Sequence, residues 1–219
     1  MVHLLREPEG QPRGALILNH GRGSDERDLF GLLDELDPER RLLGVATGAP
    51  LTNVPPGGRH WYLVPRVGYP DHDTFHSSYE LLTGFLDGIL AKRGIGWDRT
   101  VIGGFSMGAV MSYAVALGPG RPVPAGLLAF SGFIPTVDGW QPELAGREGL
   151  SVLIHHGAND PIMSVEFARK ARALLEGRGL EPEYIETDAG HWLPAEPVER
   201  AREMVARAIP TASVAENRA

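Results

Sequence analysis

The chain of 219 residues contains no cysteine, which excludes a thiol nucleophile, a disulfide framework, a zinc–thiolate site and an iron–sulfur cluster together. It has only two lysines, Lys92 and Lys170, among 21 basic residues, a bias toward arginine that points to a GC-rich bacterial genome. No basic run of five or more occurs, and 28 acidic residues leave a net charge of −7, so the electrostatic footprint of a nucleic-acid partner is missing. No apolar stretch approaches the roughly 18 residues of a membrane span. Arg6, Glu7 and Glu9 interrupt the N-terminal region where a signal peptide needs an apolar core. The expectation is a soluble, cytoplasmic protein with no membrane span.

With 42% hydrophobic and 22% charged residues, the composition is that of a globular protein, and the length suits one domain over residues 1–219. Apolar runs at Ala15–Leu18, Leu42–Ala46, Thr100–Ile102, Leu127–Phe130, Ser151–Ile154 and Tyr184–Ile185 read as buried strands, most of them running straight into turn residues. Helical periodicity lies between them over Glu26–Leu36, Thr74–Arg93, Met107–Leu117, Val165–Arg178 and Pro197–Ala208. Strands alternating with helices predict an α/β fold with a mostly parallel sheet covered on both faces. Gly and Pro concentrate in connections, and only 211–219 reads as a loose polar tail.

In such a sheet, chemistry belongs at the carboxyl ends of the strands. Gly104-Phe105-Ser106-Met107-Gly108 fits Gly-x-Ser-x-Gly, in which the serine sits on a tight strand-to-helix turn. The pattern is weak alone, because composition supplies roughly 0.14 such matches by chance. Its setting strengthens it: a β-branched run precedes the motif and an Ala/Met/Leu-rich helical pattern follows. A serine there could also merely cap the helix, but the strand–elbow–helix context makes Ser106 the candidate nucleophile.

A serine hydroxyl needs a base, and the base needs an orienting carboxylate. In hydrolases with this elbow the chain order is Ser, then Asp or Glu, then His. Only His155, His156 and His191 lie downstream of Ser106. His155 and His156 end a buried strand and read as packing residues, whereas His191 follows the turn-forming Thr187-Asp188-Ala189-Gly190 and is the candidate base. Asp160 closes the loop after the Ser151–Ile154 strand and is the candidate acid; Asp188 reads as a turn former and Asp138 ends no strand. The loop His20-Gly21-Arg22-Gly23 follows the first apolar strand. Its Arg22 amide, with that of Met107, is the candidate oxyanion donor.

Taken in order, Leu18 through Gly23, Gly104 through Gly108, Phe130-Ser131-Gly132-Phe133, His156-Gly157 through Asp160-Pro161, and Gly190-His191 resemble the phospholipase/carboxylesterase family of α/β hydrolases. The resemblance covers residues 14 to 208. It implies an α/β-hydrolase fold without a large cap and a cofactor-free, metal-free triad of Ser106, Asp160 and His191. It also implies oxyanion amides from Arg22 and Met107 and hydrolysis of small carboxylic esters or thioesters by a monomer or homodimer. Many relatives carry Gln where this chain has Met107 and an apolar residue where it has Arg22, so the Arg22 side chain bears on substrate choice. The long Leu51–Phe75 connection, with Trp61, Tyr62 and Tyr69, is the expected pocket wall, joined by Ile162, Met163, Trp192 and Leu193 beside the triad loops. Two readings of the activity stay open: a carboxylesterase for short- to medium-chain esters, and an acyl-protein thioesterase or lysophospholipase for long acyl chains.

Overall fold

The computed structural model describes residues 1–210; the expected polar tail at 211–219 lies outside the described residues. Seven strands form one sheet: β1 His3–Arg6, β2 Gly14–Asn19, β3 Leu42–Thr47, β4 Thr100–Phe105, β5 Gly126–Phe130, β6 Ser151–Gly157 and β7 Glu183–Thr187. Their order is β1-β3-β2-β4-β5-β6-β7; all pairings are parallel except the edge pair of β1 with β3. β2 and β4 are buried along almost their whole length, as expected of strands covered on both faces.

Helices α2 (His72–Lys92), α3 (Met107–Leu117) and α4 (Glu166–Glu176) cover one face of the sheet, packing Phe75, Leu86, Val110 and Ala171 against Ile17, Ile102 and Ala129. The opposite face is covered by α1 (Leu32–Leu36) and α5 (Ala195–Ala208), whose Leu33, Ala201 and Val205 pack on Leu16, Val101 and Leu128. α3 is apolar all round and buried throughout, the pattern of a helix sealed inside the fold. This places the start of α3, and therefore Ser106, beside the central strands.

Two expectations change. The edge strand β1 adds to the six strands expected, and the helical pattern expected over Glu26–Leu36 forms an α-helix only from Leu32, with turns before it. Gly31 stands at the start of α1, and the buried Glu26 side chain is held 3.3 Å from Arg59 Nε, which ties the preceding turns to the 59–60 segment. Among the described residues no helix is long and apolar enough to cross a membrane.

The elbow needs its small residues for contact reasons. A Cβ on Gly104 would stand 2.6 Å from the Asn19 carbonyl oxygen, and one on Gly108 would be driven into that same carbonyl and to 2.5 Å from His20 O. Both obstacles are backbone, so neither can yield cheaply. Gly108→Ala is therefore expected to lose about 3 kcal/mol or more of unfolding free energy in urea titration. Gly84→Ala, in the middle of α2 with open space around the new methyl, is expected to gain about 0.5–1 kcal/mol. A Gly108→Ala protein as stable as wild type would show that the elbow is not packed this tightly.

Candidate active site

Ser106 joins β4 to α3 with φ 55° and ψ −118°, a left-handed conformation that L residues adopt at a cost. Its amide donates to Phe130 O at 2.8 Å, and its carbonyl accepts from Val110 N at 3.2 Å, so the chain leaves a strand pairing and enters a helix within one residue. The fold holds this turn from both sides. Beneath it, Asn19 Nδ2 donates to Ser112 Oγ at 2.9 Å and the Ser112 hydroxyl donates to Gly108 O at 2.8 Å.

The structure brings Ser106, His191 and Asp160 into one hydrogen-bonded line. His191 Nε2 is 2.9 Å from Ser106 Oγ, and His191 Nδ1 is 2.6 Å from Asp160 Oδ2. A carboxylate there accepts from Nδ1–H, which leaves Nε2 free to accept from the serine hydroxyl. The Phe105 ring lies against the imidazole with centroids 4.9 Å apart. Two loops meet to make this possible: Ala158 N donates to Thr187 O, Asn159 N to Ala189 O, and Asn159 Nδ2 to Asp188 O. Those bonds stitch the loop after β6 to the loop after β7.

The Asp160 side chain is fully buried. Burial alone would push its carboxyl up. The His191 bond and the amides of Met163 and Ile162, donating to Oδ1 at 2.9 and 2.8 Å, outweigh burial and hold it below the usual carboxylate range. His156 Nε2–H donates to Met163 O at 2.8 Å and lies 3.4 Å from Asp160 Oδ2, buried beneath the same loop. His155 is buried on the other side of β6 with Nε2 at 3.0 Å from Thr187 Oγ1; burial, with the adjacent His156, pushes it down to about 4. Asp188 meets Asn159 through its backbone carbonyl, and Asp138 meets His76 in the same way. Among the described residues no group of three His, Cys, Asp or Glu side chains could hold a metal ion.

The amides of Arg22 and Met107 have no protein acceptor among the described residues, and both residues line the cavity over Ser106. The loop that carries Arg22 is pinned from behind. His20 Nδ1–H donates to Gly21 O at 2.6 Å and its Nε2 accepts from Ala49 N at 3.0 Å, while Trp61 Nε1–H donates to His20 O at 2.9 Å. Burial pushes the His20 pKa down, in keeping with a neutral ring that donates through one nitrogen and accepts through the other.

The cavity encloses about 290 Å³ and reaches Ser106 and His191. Of the expected wall residues, Tyr62, Ile162 and Met163 line it. Three stand elsewhere. Trp61 is 0% exposed, packed behind the Arg22 loop as a hydrogen-bond donor; Trp192 is 57% exposed and does not line the cavity; Leu193 packs into the core beside α5. The wall also includes Val64, Arg66, Val67, Tyr69 and Phe133, which the sequence did not single out except for Tyr69 within the 51–75 connection and Phe133 in the Ser131-Gly132-Phe133 motif.

The sequence profile of the Phospholipase/Carboxylesterase family matches residues 3–207. The Bacillus subtilis protein MhqD is 29% identical over 209 residues, covering 95% of this chain and all of the relative. Acyl-protein thioesterase 1 of Debaryomyces hansenii is 27% identical over 186 residues, covering 77% of this chain and 79% of its own length. The crystal structure of the Bacillus cereus carboxylesterase superposes with a TM-score of 0.82 at 24% identity, over 94% of this chain and 93% of that one. A mostly parallel sheet with helices on both faces and no large cap is thus shared with solved α/β hydrolases, and the chain belongs to the phospholipase/carboxylesterase family of hydrolases.

Proposed function

We propose that the protein is a serine carboxylesterase acting on short- to medium-chain carboxylic esters through Ser106, His191 and Asp160. The observation that carries the reading is the continuous line of two hydrogen bonds, 2.9 and 2.6 Å, from Ser106 Oγ through His191 to a buried carboxylate. His191 Nε2 takes the hydroxyl proton as Oγ attacks the ester carbonyl, and the oxyanion is met by the Arg22 and Met107 amides. The C–O bond of the tetrahedral intermediate then breaks, His191 protonates the departing alcohol, and an acyl-enzyme remains on Ser106. Water attacks that ester with its proton going to His191, and the acid leaves. No cofactor or metal enters the scheme.

A second reading has its own support. Beyond Gly68 and Tyr69 the cavity borders an apolar groove floored by Ile134, Phe167 and Leu174, with Phe133 shared between the two. That groove, and the likeness to an acyl-protein thioesterase, favour long acyl chains. A series of 4-nitrophenyl esters from acetyl to palmitoyl separates the two. Under the first reading kcat/KM peaks at or below about eight carbons and a fluorophosphonate labels Ser106. A rise toward palmitoyl selects the second reading, and absence of both turnover and labelling sinks the two together.

A further inference from the structure

Arginine in this chain is mostly spoken for: Arg6, Arg121 and Arg169, among others, sit within 4.0 Å of a carboxylate. Arg22 and Arg66 differ. Both line the cavity over Ser106, and among the described residues neither has a carboxylate within 4.0 Å. Arg66 lies with its guanidinium carbon 3.6 Å above the centre of the Tyr69 ring, which holds the group without using its N–H donors. Arg22 spends one N–H on Pro55 O at 3.3 Å. Each guanidinium carries five donors in a planar fork suited to a carboxylate. Asp28, the acidic residue of the same wall, has no cation within 4.0 Å either, so it does not neutralise the pair by direct contact. In a chain of net charge −7, Arg22 and Arg66 set two cations against the single acid Asp28 among the residues lining this cavity.

We infer that this cavity selects esters that carry a second, anionic carboxylate, held by Arg22 and Arg66 while Ser106 attacks the ester carbonyl. The inference rests on the serine-esterase reading and narrows its substrate class. The second carboxylate can belong to the acyl part or to the alcohol part, and the reaction balances the same way in both: water is consumed, the acyl C–O bond breaks, and a carboxylic acid and an alcohol leave.

The test has two arms, each pairing an anionic ester with a neutral one. Mono-4-nitrophenyl adipate against 4-nitrophenyl hexanoate places the charge on the acyl side; 4-carboxyphenyl butyrate against 4-carbamoylphenyl butyrate places it on the alcohol side. In at least one arm, wild-type kcat/KM favours the anionic ester, and the double variant Arg22→Gln/Arg66→Gln lowers the anionic-to-neutral ratio by about 10-fold or more. Raising NaCl from 50 mM to 1 M lowers that ratio in wild type and leaves it nearly level in the double variant. Preference for the neutral ester in both arms, or a ratio that the double variant leaves unchanged, overturns the inference while turnover of the neutral esters keeps the esterase reading standing. If wild type turns over no ester, the esterase reading falls, and calorimetric titration of adipate decides the anion site alone: binding that the double variant weakens supports it, and no binding overturns it.

Discussion

Replacing Ser106 by alanine is expected to lower kcat on 4-nitrophenyl butyrate by about 10⁴-fold and to abolish fluorophosphonate labelling, because in the proposed mechanism the hydroxyl oxygen is the atom that becomes acylated. In that mechanism the residual rate comes from groups the substitution leaves in place, the Arg22 and Met107 amides and the cavity itself. Loss of rate by itself would not separate a lost nucleophile from a collapsed elbow, and the backbone at this position supplies the control. With φ 55° and ψ −118°, residue 106 stands in a backbone region where glycine is at ease and alanine is as strained as serine. Ser106→Gly should therefore be as inactive as Ser106→Ala, yet more stable than it by about 1 kcal/mol, a shift of about 2–4 °C in Tm. An inactive glycine variant that melts higher than the alanine variant places the loss in the chemistry. A variant of either kind that keeps activity within tenfold of wild type removes Ser106 from the mechanism.

What made this site legible is that its chemistry is local in the chain. Gly104 through Gly108 carries strand, turn and helix within a few residues, although the carbonyls that require its two glycines, Asn19 O and His20 O, come from the end of β2 and the residue after it. Asp160 and His191 follow strands that are recognisable as apolar runs, so the rule that chemistry gathers at the carboxyl ends of a parallel sheet pointed to both. The wall of the cavity obeys no such local rule. Whether an aromatic residue in the 51–75 connection faces substrate or core depends on partners far away in sequence. Trp61 turns inward because His20 O accepts its indole N–H, while Tyr69 stays half exposed under Arg66. Strand β1 is hard to read for a related reason: His3-Leu4-Leu5-Arg6 is short and polar at both ends, and the hydrogen-bond partners of its buried Arg6 are carbonyls and two carboxylates, Asp34 and Asp37, from the segment 33–42. The turns before α1 fit a helical period by composition, but the tie between Glu26 and Arg59 and the glycine at position 31 outweigh that period.

Asp160→Asn is expected to lower kcat by about 10⁴-fold with a smaller loss of stability than Asp160→Ala, and the reason lies in how the loop would hold the amide. Oδ1 of Asp160 accepts two backbone N–H groups, from Ile162 and Met163, and an asparagine can meet both only by placing its carbonyl oxygen there. Its NH₂ then faces His191 Nδ1 where Oδ2 now accepts, so Nδ1 must become the acceptor and the ring proton moves to Nε2. A histidine protonated at Nε2 points a hydrogen at Ser106 Oγ and cannot take the hydroxyl proton. His156 adds to the bind, because its Nε2–H already donates to Met163 O and gives the new amide no acceptor. Asp160→Ala removes the acceptor for both loop amides, so it should lose both rate and stability, which separates orientation of the ring from support of the loop. The comparison belongs at neutral pH: the Asp160 carboxyl titrates below the usual range, so its contribution to stability is present above the ordinary carboxylate pKa and is lost as pH falls through its own lower value. Stopped-flow or steady-state assay at pH 7.5, beside thermal melts of the two variants, provides the readout. An asparagine variant that keeps its rate within tenfold would mean that His191 is held in its working tautomer by something other than this carboxylate.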